Sequence, residues 1–508
     1  MQPIVSVWFR SAPWLAVLLL AVAGCANRHS IQTHLPEAPA FSESGDAETP
    51  ERWWLVFDVP ELDFQINQAF ESNYSLAAAQ QRVFAARALK RRAASDLFPD
   101  LDGVARIGNT FGPGEDQSTY QWGLDAGYRV DLWGEIQSRV DAQQLRADAT
   151  CLDYKATALT LTSEIARTWF SLIEAHAQVE LLDEQIETNR TGLILQESRF
   201  GLGLIRSADV LRQRQLLEST LEQAVVAEAK IKLLEHQLAV LLGSMPQAAT
   251  YKPGSVLPEL PTLPAAGLPS DLLHRRPDVR RNYLAFEAAD RDLASAISAQ
   301  YPRISLTGSL TNVAENPEDL FRDWFTSIGS QLIAPLLDGG QRRAEVERTS
   351  AVVRELFLGY AQTMLIAFRE VEDSLVQEKY QLKRMVHLEE QVRLAGQASV
   401  QLREQYLIGD AEYLDVLSAI TTQQSLQRQL LSAQLELVLI RVSLYLALSG
   451  GFEPTSEYAQ DSLEGQNLDF ESDESDETEE SDFFLPDKTM PPSTQGSGPQ
   501  STSPSDNS

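Results

Sequence analysis

The feature that most constrains this chain is an internal repeat with an offset of 206 residues. Residues 199–211 read Arg-Phe-Gly-Leu-Gly-Leu-Ile-Arg-Ser-Ala-Asp-Val-Leu, and residues 405–417 read Gln-Tyr-Leu-Ile-Gly-Asp-Ala-Glu-Tyr-Leu-Asp-Val-Leu. Applied without a gap, the offset pairs Gly203 with Gly409, Asp209 with Asp415, and Gly134 with Gly340. A repeat on this scale predicts two copies of one structural unit in a single elongated domain, each turning at the same point.

Each copy contains a very long stretch that favours helix. Residues 135–200 contain no proline and one glycine, and residues 341–408 are also predicted to be one helix. At 1.5 Å per residue such a helix is about 100 Å long, which coiled packing explains better than a globular core. Shorter helices are predicted around the two long ones: 60–97, 207–242, 271–298 and 412–449. Two short helices stacked end to end would match one long helix in length and could lie beside it.

Four segments have the alternation of β-strands. Residues 120–132 place apolar side chains at every second position, with Gln, Gly, Asp and Arg between them. This strand is longer than most globular strands, and one apolar and one polar face are typical of a membrane barrel. Its hairpin partner is predicted at 101–110, and a second pair at 301–312 and 324–336. A half-buried strand in a soluble sandwich is the alternative.

The strand count has a consequence for assembly. One chain supplies four membrane-type strands, which cannot close a barrel, and open sheet edges are not tolerated in lipid. Two chains would give eight strands with a filled interior, and three chains would give twelve. If the barrel is a conduit, three chains are favoured over two, because eight strands leave no open interior. In such a trimer the helices would close into a second barrel.

The two ends of the chain have different compositions from its middle. Residues 1–24 resemble an export signal ending Val22-Ala23-Gly24, so Cys25 is expected to be lipidated after cleavage. Residues 25–59 form a predicted N-terminal arm.

Residues 453–508 carry fifteen acidic residues and one lysine and are predicted to be a disordered tail. The net charge of −30 disfavours a nucleic-acid partner.

Four motifs carry a resemblance to a known family. They are Leu-Leu-His-Arg-Arg-Pro-Asp-Val-Arg at 272–280, Tyr-Pro-Arg-Ile-Ser-Leu at 301–306, Pro-Leu-Leu-Asp-Gly-Gly at 335–340, and Ala-Phe-Arg-Glu-Val-Glu-Asp at 367–373. Over residues 50–450 the chain resembles the TolC-like outer-membrane factors, in particular the NodT-type lipoproteins of RND efflux systems. The predicted repeats span 60–250 and 270–452, joined by a Pro-rich connector at 251–269.

The resemblance implies the fold and the partners. The expected fold is mainly α with membrane β-strands, each repeat contributing a β-hairpin and long helices. A homotrimer would form a twelve-stranded barrel in the outer membrane and a helical barrel in the periplasm. The expected partners are outer-membrane lipid, a periplasmic adaptor protein and an inner-membrane RND pump.

The resemblance also implies a gate where the helices turn. Asp209 and Asp415 match acidic residues that narrow the closed periplasmic entrance, and Tyr406 matches a tyrosine that helps to latch it. In a trimer the two aspartates would form six carboxylates around one pore. Gly203 and Gly409 match the helix tips at which the adaptor docks.

One part of that latch differs in this chain. Ala411 stands where the family's best-defined latch has an arginine, and Ser418 stands where it has an aspartate. Glu412 and Arg206 are the candidates to take over these roles.

No pattern indicates an enzyme, a metal site or a cofactor. The six histidines are scattered, and neither a phosphate-binding loop nor a nucleophile motif is present in the sequence. The alternatives are a coiled-coil surface lipoprotein or adhesin, an exit duct for secreted polypeptides, and a periplasmic enzyme. Paired strands and the repeat argue against the adhesin, because a stalk needs heptads and no hairpins.

Overall fold

A computed structural model describes residues 39–47, 50–110, 117–248, 250–267, 269–319, 321–450 and 452. The expected signal segment, Cys25 and the acidic segment 453–508 lie outside the described residues. Eight α-helices and four strands are described, besides short 3-10 turns.

The helices follow the 206-residue repeat. In the first repeat they are α1 (Pro60–Ser72), α2 (Tyr74–Ser95), α3 (Glu135–Gly201) and α4 (Ser207–Leu241). In the second repeat they are α5 (Pro269–Arg275), α6 (Pro277–Ser298), α7 (Gln341–Ile408) and α8 (Tyr413–Leu448). The predicted bounds of the two long helices and their return helices are confirmed to within one residue at each end.

The prediction of one unbroken helix at 60–97 and another at 271–298 was wrong. Asn73 has an extended backbone that ends α1, and its side chain accepts a hydrogen bond of 2.9 Å from the backbone N–H of Leu76, which caps α2. In the second repeat Pro277 occupies the first turn of α6. Because proline has no N–H, it begins a helix but cannot continue one, so α5 and α6 are separate.

The four strands form one antiparallel sheet in chain order. They are β1 (Asp100–Thr110), β2 (Gln117–Val130), β3 (Arg303–Ala314) and β4 (Trp324–Ile333). The two repeats join through β2 and β3, where Leu124 lies opposite Leu310. Strand β4 ends three residues earlier than predicted, just before Pro335.

The two faces of the sheet differ as the alternation predicted. Trp122, Asn312 and Trp324 lie opposite one another on the face that otherwise carries most of the apolar side chains. Asp125 and Ser309 lie opposite each other on the polar face. Strands β1 and β4 each pair on one side only, so the sheet of a single chain has two open edges.

The long helix α3 lies at the centre of the helical packing. It contacts α2 and α4 from its own repeat, and α6 and α8 from the second repeat. The prediction that two short helices pack along one long helix is therefore confirmed. Helix α7 contacts α6 and α8 in the same way.

The N-terminal arm is more deeply integrated than the sequence indicated. Trp53 and Trp54 are fully buried, and Trp53 stacks on Tyr445 of α8 with ring centroids 6.2 Å apart. Upstream, the backbone N–H and hydroxyl of Ser42 both donate to the carboxylate of Glu372 on α7. The described part of the arm is thus attached to two helices of the second repeat, α7 and α8.

Helices α7 and α8 each contain a window apolar enough to cross a membrane by composition. A membrane-spanning helix needs about 20 residues, whereas α7 has 68. The apolar end of α8 also contains Arg441, buried in a bidentate ion pair with Glu378. Helix packing accounts for the apolar residues of α8.

Candidate gate at the helix tips

The two long helices end in the same capping motif. At the end of α3 the N–H of Leu204 bonds to the carbonyl of Arg199, and the N–H of Gly203 bonds to that of Phe200. Gly409 and Asp410 repeat these two bonds at the end of α7. This is the Schellman motif, and both glycines have positive φ, +70° and +93°. A Cβ at either glycine would touch nothing, so backbone conformation alone requires glycine there.

The two predicted gate carboxylates also occupy equivalent positions. Asp209 is the third residue of α4 and Asp415 the third residue of α8, each in the first turn of its helix. A carboxylate there is stabilised by the positive end of the helix dipole. Asp209 is partly shielded and lies 3.5 Å from the guanidinium of Arg212, whereas Asp415 is exposed.

Tyr406 is buried at the centre of a small apolar cluster at the tips. It packs with Tyr413 and Val416, and the two tyrosine rings lie 5.4 Å apart. We call these three residues the tip cluster. Ile205 from the first repeat packs against it, so the cluster joins the tips of both repeats.

The two phenols of the tip cluster each bond to a glutamine of the first repeat. Tyr406 donates a hydrogen bond of 3.0 Å to Gln196 on α3, and Tyr413 donates to Gln213 on α4. The amide of Gln213 in turn donates to the backbone carbonyl of Asn189, at 2.7 Å. Both tyrosines and both glutamines are buried, so losing a partner would leave a costly unsatisfied group.

Gly192 makes room for this network. A Cβ at position 192 would lie 2.8 Å from the amide nitrogen of Gln213. Gly192 within α3 therefore marks a close approach between α3 and the side chain of Gln213, which accepts the hydrogen bond from Tyr413.

Arg199 is a further contact to the tip cluster. Its guanidinium lies over the ring of Tyr406, 4.6 Å from the centroid, in the geometry of a cation–π interaction. In the first repeat Arg199 occupies the position that Gln405 occupies in the second. The cation–π contact to Tyr406 is therefore made by the first repeat only, because the second repeat has glutamine at the equivalent position.

The environment of Tyr413 disfavours its ionisation. Burial raises the pKa of the Tyr413 phenol above its ordinary value, and the nearby Tyr406 and the carboxylate of Asp209 raise it further. Asp209 in the first repeat thus acts electrostatically on a tip residue of the second. The phenol stays protonated, as its hydrogen bond to Gln213 requires.

A line of polar contacts continues from the tips along α3 and α8. The side-chain amides of Asn189 and Gln424 bond to each other at 3.1 and 3.3 Å. Further from the tips, Arg428 donates to Gln185 at 2.6 Å, and Ser432 donates to Glu174 at 3.1 Å. The two repeats are therefore joined by polar side chains over many turns of helix.

The structure places the predicted residues as follows. Gly203 and Gly409 form the turns, and Tyr406 is the centre of the tip cluster. Glu412 and Arg206 are exposed residues at the starts of α8 and α4, and no hydrogen bond or ion pair between them and Tyr406 is present in the described part of one chain. The latch roles of Glu412 and Arg206 stay predictions.

Sequence reasoning missed Gln196, Gln213, Tyr413 and Arg199. A signal was present on α3, where Gln185, Asn189 and Gln196 are spaced by four and seven residues along one helix face. Amides at apolar seam positions indicate a buried polar contact. Within the described residues, no three His, Cys, Asp or Glu side chains come together as a metal site.

Comparisons with known proteins agree with this architecture. The family model described as Outer membrane efflux protein matches residues 65–244 and 268–450. The pyoverdine export outer membrane protein OpmQ of Pseudomonas aeruginosa is 30% identical over 426 residues, covering 80% of this chain and 89% of OpmQ. The cation efflux system protein CusC of Escherichia coli O6:H1 is 26% identical over 451 residues, covering 85% of this chain and 97% of CusC.

A solved structure supports the same assignment. The structure of the outer-membrane channel OprN superposes with a TM-score of 0.77 at 27% identity, covering 82% of this chain and 98% of that chain. The family match includes both long helices, both return helices and all four strands. This chain is therefore a member of the outer membrane efflux protein family.

Proposed function

We propose that this protein is the outer-membrane exit duct of a tripartite efflux pump, closed at rest by the tips of its helices. The observation that carries the proposal is the combination of a two-faced four-stranded sheet and helices about 100 Å long in one chain. The sheet provides a membrane wall, and helices of this length provide a passage below it. The family membership of the chain supports the same function.

The functional unit is a homotrimer. The open edges of β1 and β4 would leave backbone N–H and C=O groups unpaired in lipid, each at a cost of several kcal/mol. If β4 of one chain pairs with β1 of the next, three chains close a twelve-stranded barrel, within the range of known outer-membrane barrels. The polar face carrying Asp125 and Ser309 would then line the water-filled interior.

The resting state is closed by the helix tips. The equivalent positions of Asp209 and Asp415 support two rings of three carboxylates around the axis of a trimer. Such a constriction concentrates negative potential and favours cations. The hydrogen bond of Tyr406 and the stacking of Arg199 hold the second-repeat tip against the first. Glu412 and Arg206 remain candidates for contacts between neighbouring chains.

The partners act at the two ends of the duct. The exposed turns at Gly203 and Gly409 are the proposed docking points of a periplasmic adaptor, which would link the duct to an inner-membrane RND pump. OpmQ is named for pyoverdine export and CusC for cation efflux, so relatives with this architecture carry different cargo. Small molecules or ions are the proposed cargo, with no one compound assigned.

Cys25 is the proposed lipid anchor. The described arm begins at residue 39, and the intervening residues span at most about 50 Å when extended. Each acyl methylene that enters the membrane adds about 0.8 kcal/mol of affinity. Intact-mass analysis of the membrane-extracted protein should show a mature chain that begins at an acylated Cys25, and a chain beginning elsewhere would disprove the anchor.

Mass measurement in detergent tests the duct itself. The chain has a mass of 56.4 kDa, so a trimer lacking its signal segments should have a mass of roughly 160 kDa after correction for detergent. The same sample should insert into planar bilayers and show a small resting conductance. A stable single chain inserted in lipid would contradict the proposal, because four strands cannot close.

A further inference from the structure

A cavity lies beside the tip cluster, where the long helix of the first repeat meets the second-repeat helices that carry the cluster. Its volume is about 370 Å³, which falls within the range of small-molecule sites. Helices α3, α4, α7 and α8 all contribute residues to its walls. The cavity is therefore formed by the same contact between repeats that holds Tyr406 against Gln196.

The walls of this cavity are mainly apolar. The tip cluster, which is buried, supplies the rings of Tyr406 and Tyr413 and the side chain of Val416. Leu195 of α3 and Leu407 of α7 also line the cavity, and they are 43% and 51% exposed. An apolar molecule that entered the cavity would remove both leucine side chains from water, which favours binding.

Within the described residues, one buried hydrogen-bond donor of the cavity has no acceptor. Gln196 lines the cavity and is only 3% exposed. Its amide oxygen accepts from Tyr406, but its amide nitrogen donates to no group of the described chain. The amide of Gln213 differs, since its oxygen accepts from Tyr413 and its nitrogen donates to Asn189. A ligand with an acceptor atom would satisfy the remaining donor of Gln196.

The charges around the cavity favour an anion. Arg403 lines the cavity and forms no ion pair in the described part of the chain. Glu187 is a carboxylate that also lines the cavity, but it is paired with Arg190 at 2.9 Å. Arg403 precedes Tyr406 by three residues, so both lie on one face of α7. Because Gln196 bonds to Tyr406, the guanidinium and the free amide donor lie near the same ring.

We propose that this cavity binds a small amphipathic anion, with a flat apolar body of two rings and one carboxylate or sulfonate. The rings pack between the tip cluster and the side chains of Leu195 and Leu407. The acid group accepts hydrogen bonds from Arg403 and from the amide nitrogen of Gln196, because a carboxylate accepts several such bonds. This site goes beyond the proposed function, which assigns no ligand to the inside of the tips.

A bound anion of this kind stabilises the closed tips. It contacts α3, α7 and α8 at once, and these helices carry the tip cluster and Gln196. Separating the two repeats would divide the cavity, so the anion binds the closed state more tightly. A ligand shifts an equilibrium toward the state that it binds more tightly. This effect rests on the proposed gate, whereas the binding site itself does not.

Fluorine NMR of the full-length protein in a non-ionic detergent tests the site, with 6-fluoro-2-naphthoate as the probe. The unmodified protein should broaden the probe signal saturably. Arg403→Gln should weaken binding about tenfold, because a charged hydrogen bond is lost. Leu407→Trp, which places a larger ring at the cavity, should abolish saturable binding. Both residues are exposed, so neither change disturbs a buried contact.

Two controls define the position and the charge of the ligand. Arg354→Gln makes the same change of charge at an exposed position of α7 about 70 Å away, and it should bind the probe like the unmodified protein. The uncharged 6-fluoro-2-naphthamide has the same rings without the acid. It should bind the unmodified protein about tenfold more weakly than the naphthoate.

The outcomes separate the site from its effect on the gate. Linear partitioning of the probe into detergent, or saturable binding that both cavity variants leave unchanged, would overturn the site. Equal binding of the amide would overturn the assignment to anions. In planar bilayers the probe should lower the resting conductance of the unmodified channel more than that of Arg403→Gln. Saturable binding with unchanged conductance would support the site and overturn its effect on the gate. A chain that forms no channel would overturn the proposed duct and leave the binding result standing.

Discussion

The phenol of Tyr406 donates a hydrogen bond of 3.0 Å to the amide oxygen of Gln196, a residue 210 positions earlier in the chain. This bond connects the tip of the second repeat to the long helix of the first. Both side chains are buried, so neither can turn to water when the bond is lost. The resting position of the tip depends on hydrogen bonds of this kind between the two repeats.

Tyr406→Phe should weaken the closed tip without removing the ring. The variant keeps the stacking with Arg199 and Tyr413 but leaves the oxygen of Gln196 unsatisfied, at a cost of about 1–3 kcal/mol. We expect a larger resting conductance in planar bilayers than for the unmodified channel. Tyr380→Phe, on the exposed flank of α7, is the matched control and should leave conductance unchanged. Equal conductance of Tyr406→Phe and the unmodified channel would show that this bond does not hold the tip.

Gly203→Ala should destabilise the turn that follows α3. Its φ of +70° costs an L-residue about 1–2 kcal/mol, although a Cβ would touch nothing. Hydrogen exchange at residues 199–206 should accelerate several-fold. Gly201→Ala is a close control, because Gly201 is helical, has no positive φ and has open space around it. Equal exchange in the two variants would mean that the turn tolerates a side chain.

Alkaline pH should open the tips. Burial raises the pKa of Tyr413 above the ordinary value of 10.0, so the closed state favours the protonated phenol. Stability from this group is fully present below pH 10 and is lost as pH rises through the pKa of the closed state. The resting conductance should therefore increase above pH 10. Tyr413→Phe should remove this component, and an identical pH profile in the variant would exclude Tyr413 as its source.

Much of the fold follows from local sequence patterns. The absence of proline from 341–408 and the glycine at 409 set the bounds of α7, and alternation set the faces of β2. These features are local, because a helix or strand is favoured or interrupted by its own residues. The break at Asn73 was missed because asparagine, unlike proline, can also occur within a helix. Here its side chain caps the next helix.

The residues of the tip cluster could be predicted from the sequence only in part. The family resemblance indicated Tyr406, and the repeat indicated Asp209 and Asp415. The partners of Tyr406 could not be read from either, because Gln196 and Arg199 approach it only when α3 and α7 pack together. Trp53 was placed in an extended arm for the same reason, since its burial depends on Tyr445. Contacts between distant segments are determined by tertiary packing.

The proposed function requires that Asp209 and Asp415 form a negatively charged constriction in a closed trimeric duct. Block by a multivalent cation such as hexamminecobalt(III) measures this most directly. Added on the side of the helix tips in planar bilayers, it should block the unmodified channel at low concentration, because several carboxylates share one ion. The double variant Asp209→Asn with Asp415→Asn keeps side-chain size and should lose most of that block and its cation selectivity.

Asp183→Asn, on the exposed surface of α3 away from the tips, is the control and should be blocked as strongly as the unmodified channel. If the two aspartates only stabilise their helix starts, their loss would cost about 0.3–1 kcal/mol at each site and leave conduction unaltered. We expect loss of block in a correctly assembled double variant. Unchanged block and selectivity in that variant would contradict it.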